Sequence, residues 1–115
     1  MATLTMIRSR LDFAALQTDA RSRLDPVLVL RYRRNGLDQT RFGISTGRRT
    51  GTAVVRNTIR RRLRTVIVSM LERIAPGWDV LVIARPAAAQ ATQAELATVF
   101  QRLLHKAGLL TGLAA

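Results

Sequence analysis

Between Asp38 and Glu72 the chain runs for 33 residues without an acid, and eight arginines lie in that interval: Arg41, Arg48, Arg49, Arg56, Arg60, Arg61, Arg62 and Arg64. A guanidinium group is planar and grips phosphate with two donors, so this cluster points to phosphate chemistry. Arg56, Arg60 and Arg64 recur at i, i+4 and i+8, with Asn57 and Arg61 beside them. On a helix that spacing makes a stripe. A solvated helix face ordinarily interleaves Glu with Lys or Arg, whereas arginines four apart repel. Nothing in the stretch compensates before Glu72. Bound phosphates would offset the repulsion, which favours a polyanion ligand over an inert charged surface. A membrane-surface helix fits less well, because a core needs the apolar side of the same segment.

The side chains that make or break bonds are sparse. His105 is the single histidine, which excludes two-histidine acid–base cleavage of RNA, and its setting suits a cationic residue near a helix C-terminus. The carboxylates are Asp12, Asp19, Asp25, Asp38, Asp79, Glu72 and Glu95, scattered along the chain. A two-metal nuclease needs several of them converging on ions about 4 Å apart. There is no cysteine, hence no thiolate nucleophile, thiolate metal site or disulfide. No catalytic residue and no protein-held metal are expected.

The bulk composition agrees. Eighteen arginines and Lys106 against seven acids give a net charge of +12 in 115 residues, of which 48% are hydrophobic. That is one domain, 1–115, with a core and a polyanionic partner. No apolar run approaches the roughly 18–20 residues of a membrane span. Met1–Arg10 does not read as a secretory signal, so the cytoplasm is the expected location. The aromatics Phe13, Tyr32, Phe42, Trp78 and Phe100 are too dispersed for an RNA-stacking sheet of the RRM kind.

The elements that must position the arginines follow from pattern. Ser9 caps a short helix over 9–18. Residues 19–25 read as a loop or a short edge strand. The β-branched run 27–33, the Asn35-Gly36 turn signal and the stretch 41–45 read as a hairpin. Thr52 caps a helix from Ala53 to about Ile74, with Val55, Ile59, Leu63, Val66, Met70 and Ile74 on one face. Pro76-Gly77 ends it. The near-continuous apolar run 78–84 is a strand buried on both faces. Thr92 caps a last helix to about Ala107 with Leu96, Val99, Phe100, Leu103 and Leu104 inward, and Gly108 stops it. The order α-β-β-α-β-α describes an α/β (α+β) two-layer sandwich. Strands 41–45 and 78–84, joined by a helix, are expected to be parallel.

Two stretches carry a resemblance to a known family. Arg41-Phe42-Gly43-Ile44-Ser45, followed by Arg48-Arg49-Thr50-Gly51-Thr52-Ala53-Val54-Val55-Arg56-Asn57-Thr58-Ile59-Arg60-Arg61-Arg62-Leu63-Arg64, strongly resembles the signature of the bacterial ribonuclease P protein subunit. Asp79-Val80-Leu81-Val82-Ile83-Ala84-Arg85 and Asp12-Phe13 resemble further family segments, and the similarity spans about 8–107. Thr58, Thr52, Gln17 and Gly47 depart from the residues common in the family.

The resemblance implies a ribosomal protein S5 domain 2-like fold with a left-handed β-α-β crossover, whereas generic rules favour the right-handed form in about 98% of cases. It implies a subunit that binds a catalytic RNA and the 5′ leader of precursor tRNA, while Mg²⁺, bound mainly by the RNA, supports endonucleolytic removal of the leader. DNA and membranes are not expected partners. Position by position, Arg56, Asn57, Arg60, Arg61 and Arg64 match RNA-contacting positions, Arg48 and Arg49 a basic pair, and Phe13 an aromatic of the leader cleft. From the residues alone, Phe13 also fits a core contact beneath a helix, and Asn57 a side chain bonding its own backbone. The alternative function is a non-catalytic RNA-binding module, ribosome- or nucleoid-associated.

Overall fold

A strand that is apolar at nearly every position is stable only where both of its faces are covered, and Trp78–Ala84 lies inside the sheet with five of its seven residues buried. The computed structural model describes residues 3–111, so the outer ends of the expected 1–115 domain lie outside the described residues. Its elements are α1 (Arg10–Thr18), β1 (Arg21–Leu24), β2 (Leu28–Arg34), β3 (Arg41–Thr46), α2 (Ala53–Met70), β4 (Trp78–Ala84) and α3 (Gln93–Ala107), with short 3₁₀ turns at Arg48–Thr50, Leu71–Arg73 and Pro86–Gln90. The sheet order is β1-β2-β4-β3. β4 is antiparallel to β2 and, as the connecting helix implies, parallel to β3.

This order corrects the expected hairpin. β2 and β3 are not neighbours, because β4 lies between them. The Asn35-Gly36 signal does mark a turn: Gly36 has φ 72°, and Asn35 Oδ1 accepts from the Leu37 backbone N–H at 2.8 Å. The connection spans residues 35–40, however, and its polar groups bond to the start of β4 instead of closing a ladder. Asn35 N–H donates to the Gly77 carbonyl at 3.0 Å, the Trp78 N–H to Thr40 Oγ1 at 3.1 Å, and Thr40 Oγ1–H to the Ala75 carbonyl at 2.6 Å. The loop thus leaves a gap one strand wide, which the most apolar strand fills.

The stretch 19–25 supplies the edge strand β1, so the order becomes α-β-β-β-α-β-α. Alternation sorts the side chains onto two faces. Leu28, Leu30 and Tyr32 of β2, Phe42 of β3 and Val80 and Val82 of β4 pack against α2 and α3, which contribute Ile59, Leu63, Ile67, Leu96, Phe100 and Leu103 to the main core. On the other face Leu81 packs with Leu16 of α1 and with Ile7. Helix α1 therefore adds a partial third layer to the sandwich.

The caps are those the sequence specifies. Ser9 Oγ accepts from the Leu11 and Asp12 N–H groups, Thr52 Oγ1 from Val55 N–H, and Gly108 ends α3 in the left-handed conformation at φ 75°. Thr92 and Glu95 form a reciprocal capping box at α3. The Thr92 backbone N–H, bonding to Glu95, holds that carboxyl below its ordinary pKa. A lowered carboxyl pKa stabilises the fold at neutral pH and ceases to do so as the pH falls through the lowered value. Thr92→Ala is expected to cost about 1 kcal/mol, a drop in Tm of about 4 °C. Glu95→Ala lowers Tm at pH 7, and thermal melts will show that difference shrinking as the pH falls through the lowered carboxyl pKa.

Candidate nucleic-acid interface

Each residue of an α-helix turns about 100°, so residues four apart drift by about 40°. The stripe Arg56, Arg60, Arg64 accordingly begins beside the buried edge of α2 and climbs away from it. Arg56 is half-buried, with its Nε enclosed and unbonded, while Arg60 and Arg64 are exposed. Asn57 and Arg61 are exposed farther round the helix. Asn57 does not bond its own backbone; its Oδ1 accepts from Arg60 Nη1 at 3.2 Å, which orients that guanidinium. Arg48 and Arg49 are exposed on the 3₁₀ turn between β3 and α2. The α2 N-terminus, with its free N–H groups, carries no acid in its first turn. Among the described residues, none of these six arginines lies within ion-pair distance of a carboxylate.

Arg62, the fifth arginine of the helix, behaves differently. It is half-buried and donates from Nη1 to the Ala91 carbonyl at 3.0 Å, tying α2 to the approach to α3. Arg41, also inside the acid-free interval, is turned inward. Its Nε and Nη2 donate to Asp79 at 2.8 and 2.7 Å, and Nη2 also lies 3.3 Å from Asp12. These bonds, led by the one to Asp79, raise the Arg41 pKa further above its ordinary value, so it is charged at any working pH. Its partner was out of sight in the sequence, since 38 positions separate the two.

A second feature lies on the α1 face. Pairing sets three rows across the sheet there: Arg33–Asp79–Arg41, Arg31–Leu81–Gly43 and Val29–Ile83–Ser45. Helix α1 covers the middle row, and Leu81 and Gly43 are buried. Val29, Ile83 and Ser45 stay half-exposed, forming a strip between α1 and the strand ends that lead to Arg48 and Arg49. Phe13 is half-buried at the margin of this strip, with its ring over Gly43 and against the small cluster of Ile7, Leu16 and Leu81. Phe13 thus packs on the sheet beneath its helix without being fully buried. The strip itself was not legible in the sequence, because it follows from the register of three strands.

An α+β domain with an uncompensated arginine face and, among its described residues, no cluster of three His, Cys, Asp or Glu side chains is built to bind nucleic acid. The comparisons with known proteins agree. The family model for Ribonuclease P matches residues 1–108, and the chain belongs to that family. It is 37% identical over 107 residues to the ribonuclease P protein component of Roseiflexus castenholzii, covering 92% of this chain and 88% of that one. With the ribonuclease P protein component of Xanthomonas axonopodis pv. citri it shares 39% identity over 105 residues, 90% of this chain and 71% of the relative. The RNase P protein of Staphylococcus aureus superimposes with a TM-score of 0.85 at 26% identity, covering 95% of this chain and 100% of that one. The RNase P protein of Thermotoga maritima does so with a TM-score of 0.80 at 27% identity, over 88% and 96%. The chain is the protein subunit of an endoribonuclease that acts in tRNA 5′ processing, in which the bacterial catalyst is the RNA it partners.

Mutation distinguishes the inward-bonded Arg62 from the exposed arginines of α2. Arg62→Ala is expected to lower stability by about 1.5 kcal/mol through loss of a charged hydrogen bond, read by urea unfolding. Its affinity for ribonuclease P RNA stays near that of the parent chain.

Proposed function

We propose that Arg48, Arg49, Arg56, Asn57, Arg60, Arg61 and Arg64 seat this chain on ribonuclease P RNA, and that the strip beside Phe13 takes the 5′ leader of precursor tRNA. The observation that carries the first half is the lack of any carboxylate partner for these arginines among the described residues, although all four ion pairs present elsewhere engage arginines. Guanidinium groups left free at this density gain most from phosphates that a folded RNA crowds together. Neutralising them lets that RNA fold and bind Mg²⁺ at lower concentration. We assign the Mg²⁺ to the RNA, whose phosphates supply the oxygen ligands that the ion prefers.

The second half rests on shape and surface chemistry. The strip offers the apolar side chains of Val29 and Ile83 and the hydroxyl of Ser45, with Phe13 at one margin. A single strand laid there would stack a base on Phe13 and carry its phosphates toward Arg48 and Arg49. Contacts of that kind exist for a precursor and vanish with the leader, so they favour substrate over product.

Reconstitution tests the reading. Added to ribonuclease P RNA at low Mg²⁺, the chain is expected to stimulate cleavage of a precursor tRNA; no stimulation would leave a plain RNA-binding module. If about five phosphates are neutralised, log affinity for the RNA falls with log salt at a slope of about −3.5 to −4.5. The triple variant Arg60→Ala, Arg61→Ala, Arg64→Ala flattens that slope by about 2 to 3 and leaves the circular dichroism spectrum unchanged. Phe13→Ala reduces the preference of the holoenzyme for precursor over mature tRNA by about tenfold, the scale of one lost base stack.

A further inference from the structure

Helix α1 is nine residues long, and helices of that length are marginal on their own. Its apolar anchorage is slight. Leu16 is its only fully buried residue, and Leu11 is 82% exposed. Yet Phe13 must sit at one place on the sheet if its ring is to border the strip.

Two guanidinium groups hold the helix at its two ends. Near the N-terminus, Asp12 lies 3.3 Å from Arg41 Nη2. Arg41 is itself fixed by two bonds to Asp79, which is 3% exposed and also accepts from Asn35 Nδ2 at 3.0 Å. Near the C-terminus, Arg31 gathers the carbonyls that the helix leaves unpaired. Its Nε donates to the Leu16 carbonyl and its Nη2 to the Gln17 carbonyl at 3.0 Å, while Nη1 donates to Ser22 Oγ at 2.9 Å. A cation at that end also meets the negative pole of the helix. Between the two clamps Gly43 leaves a seat for Phe13: a Cβ at residue 43 would stand 2.9 and 3.0 Å from two ring carbons.

We propose that Arg31, and Asp12 through the Arg41–Asp79 pair, are positioning residues for leader recognition: they hold α1 at both ends so that the Phe13 ring rests on Gly43 at the margin of the strip. The inference rests on the leader-cleft reading above. It goes beyond it by giving Arg31 and Arg41, which lie outside the RNA-contacting set, a part in leader recognition. All three nitrogens of the Arg31 guanidinium and two of those of Arg41 are bonded within the protein, so their loss acts on the tRNA leader through Phe13 and leaves the ribonuclease P RNA contacts alone.

The test is a double-mutant cycle in the reconstituted holoenzyme, with binding of precursor and mature tRNA measured separately. Arg31→Gln is expected to lower the precursor-over-mature preference by about as much as Phe13→Ala. In the Phe13→Ala background it is expected to lower it no further, the non-additivity of residues acting as a unit. Affinity for ribonuclease P RNA and its salt slope stay unchanged. Asp12→Asn, which keeps the shape of the side chain, gives the same pattern with a smaller loss and carries the test if Arg31→Gln folds poorly. Full additivity, or an unchanged preference in both Arg31→Gln and Asp12→Asn while Phe13→Ala loses it, overturns the positioning role alone. An unchanged preference in Phe13→Ala overturns the cleft reading and the positioning role with it.

Discussion

The carboxylate of Asp79 joins β4, β3 and the loop between β2 and β3 through one set of side-chain bonds. It stands at the start of the central strand, almost wholly removed from water, and a buried charge is tolerable only when paired and hydrogen-bonded. Arg41 supplies the charge and two bonds, and Asn35 supplies a third. One of these partners lies on β3 and the other in the loop between β2 and β3. Satisfying Asp79 therefore sets β3 beside β4 and draws the loop around the start of β4. Through Arg41 the same network reaches Asp12 on the far layer.

The acids of this chain are too few to balance its arginines, and where they go decides where positive charge is left over. Asp79 and Asp12 are committed to Arg41, Asp19 faces Arg33 at 3.7 Å, Asp25 faces Arg102 at 3.2 Å, and Glu95 caps α3. Other arginines settle on neutral groups: Arg34 over the Trp78 ring, Arg62 on the Ala91 carbonyl, Arg31 on the end of α1. Left without a carboxylate among the described residues are Arg8, Arg10, Arg21, Arg23 and Arg73, together with the arginines of α2 and of the turn before it. Six of these arginines, Arg48, Arg49, Arg56, Arg60, Arg61 and Arg64, fall within the acid-free interval on α2 and the turn before it, so positive charge is dense there.

The two sides of the sheet divide the work. The α2–α3 side holds the main core and anchors the arginine helix. The α1 side is thinly packed, with a small apolar cluster and a strip left partly open. A protein whose partner RNA performs the chemistry needs no acid–base pair in such a strip. Polar clamps at the two ends of the short helix α1 hold that side in place at little cost in buried area.

Local chemistry was legible from the residues alone. The three caps, the glycine stop at Gly108, the buried face of α2 and the five inward residues of α3 depend on neighbours within a few positions, where rotation per residue and side-chain type suffice. A polyanionic partner was legible too, because charge is additive and needs no geometry. The tertiary structure alone decided which strand lies between β2 and β3, since a turn signal reports that the chain reverses but not who fills the space beside it. It alone decided that Arg41 and Arg62 face inward while Arg60 and Arg64 do not, and that Val29, Ile83 and Ser45 line up in one row. Those facts depend on contacts between residues tens of positions apart, and an arginine written in a sequence carries no mark of whether a carboxylate, a carbonyl or water will stand opposite it.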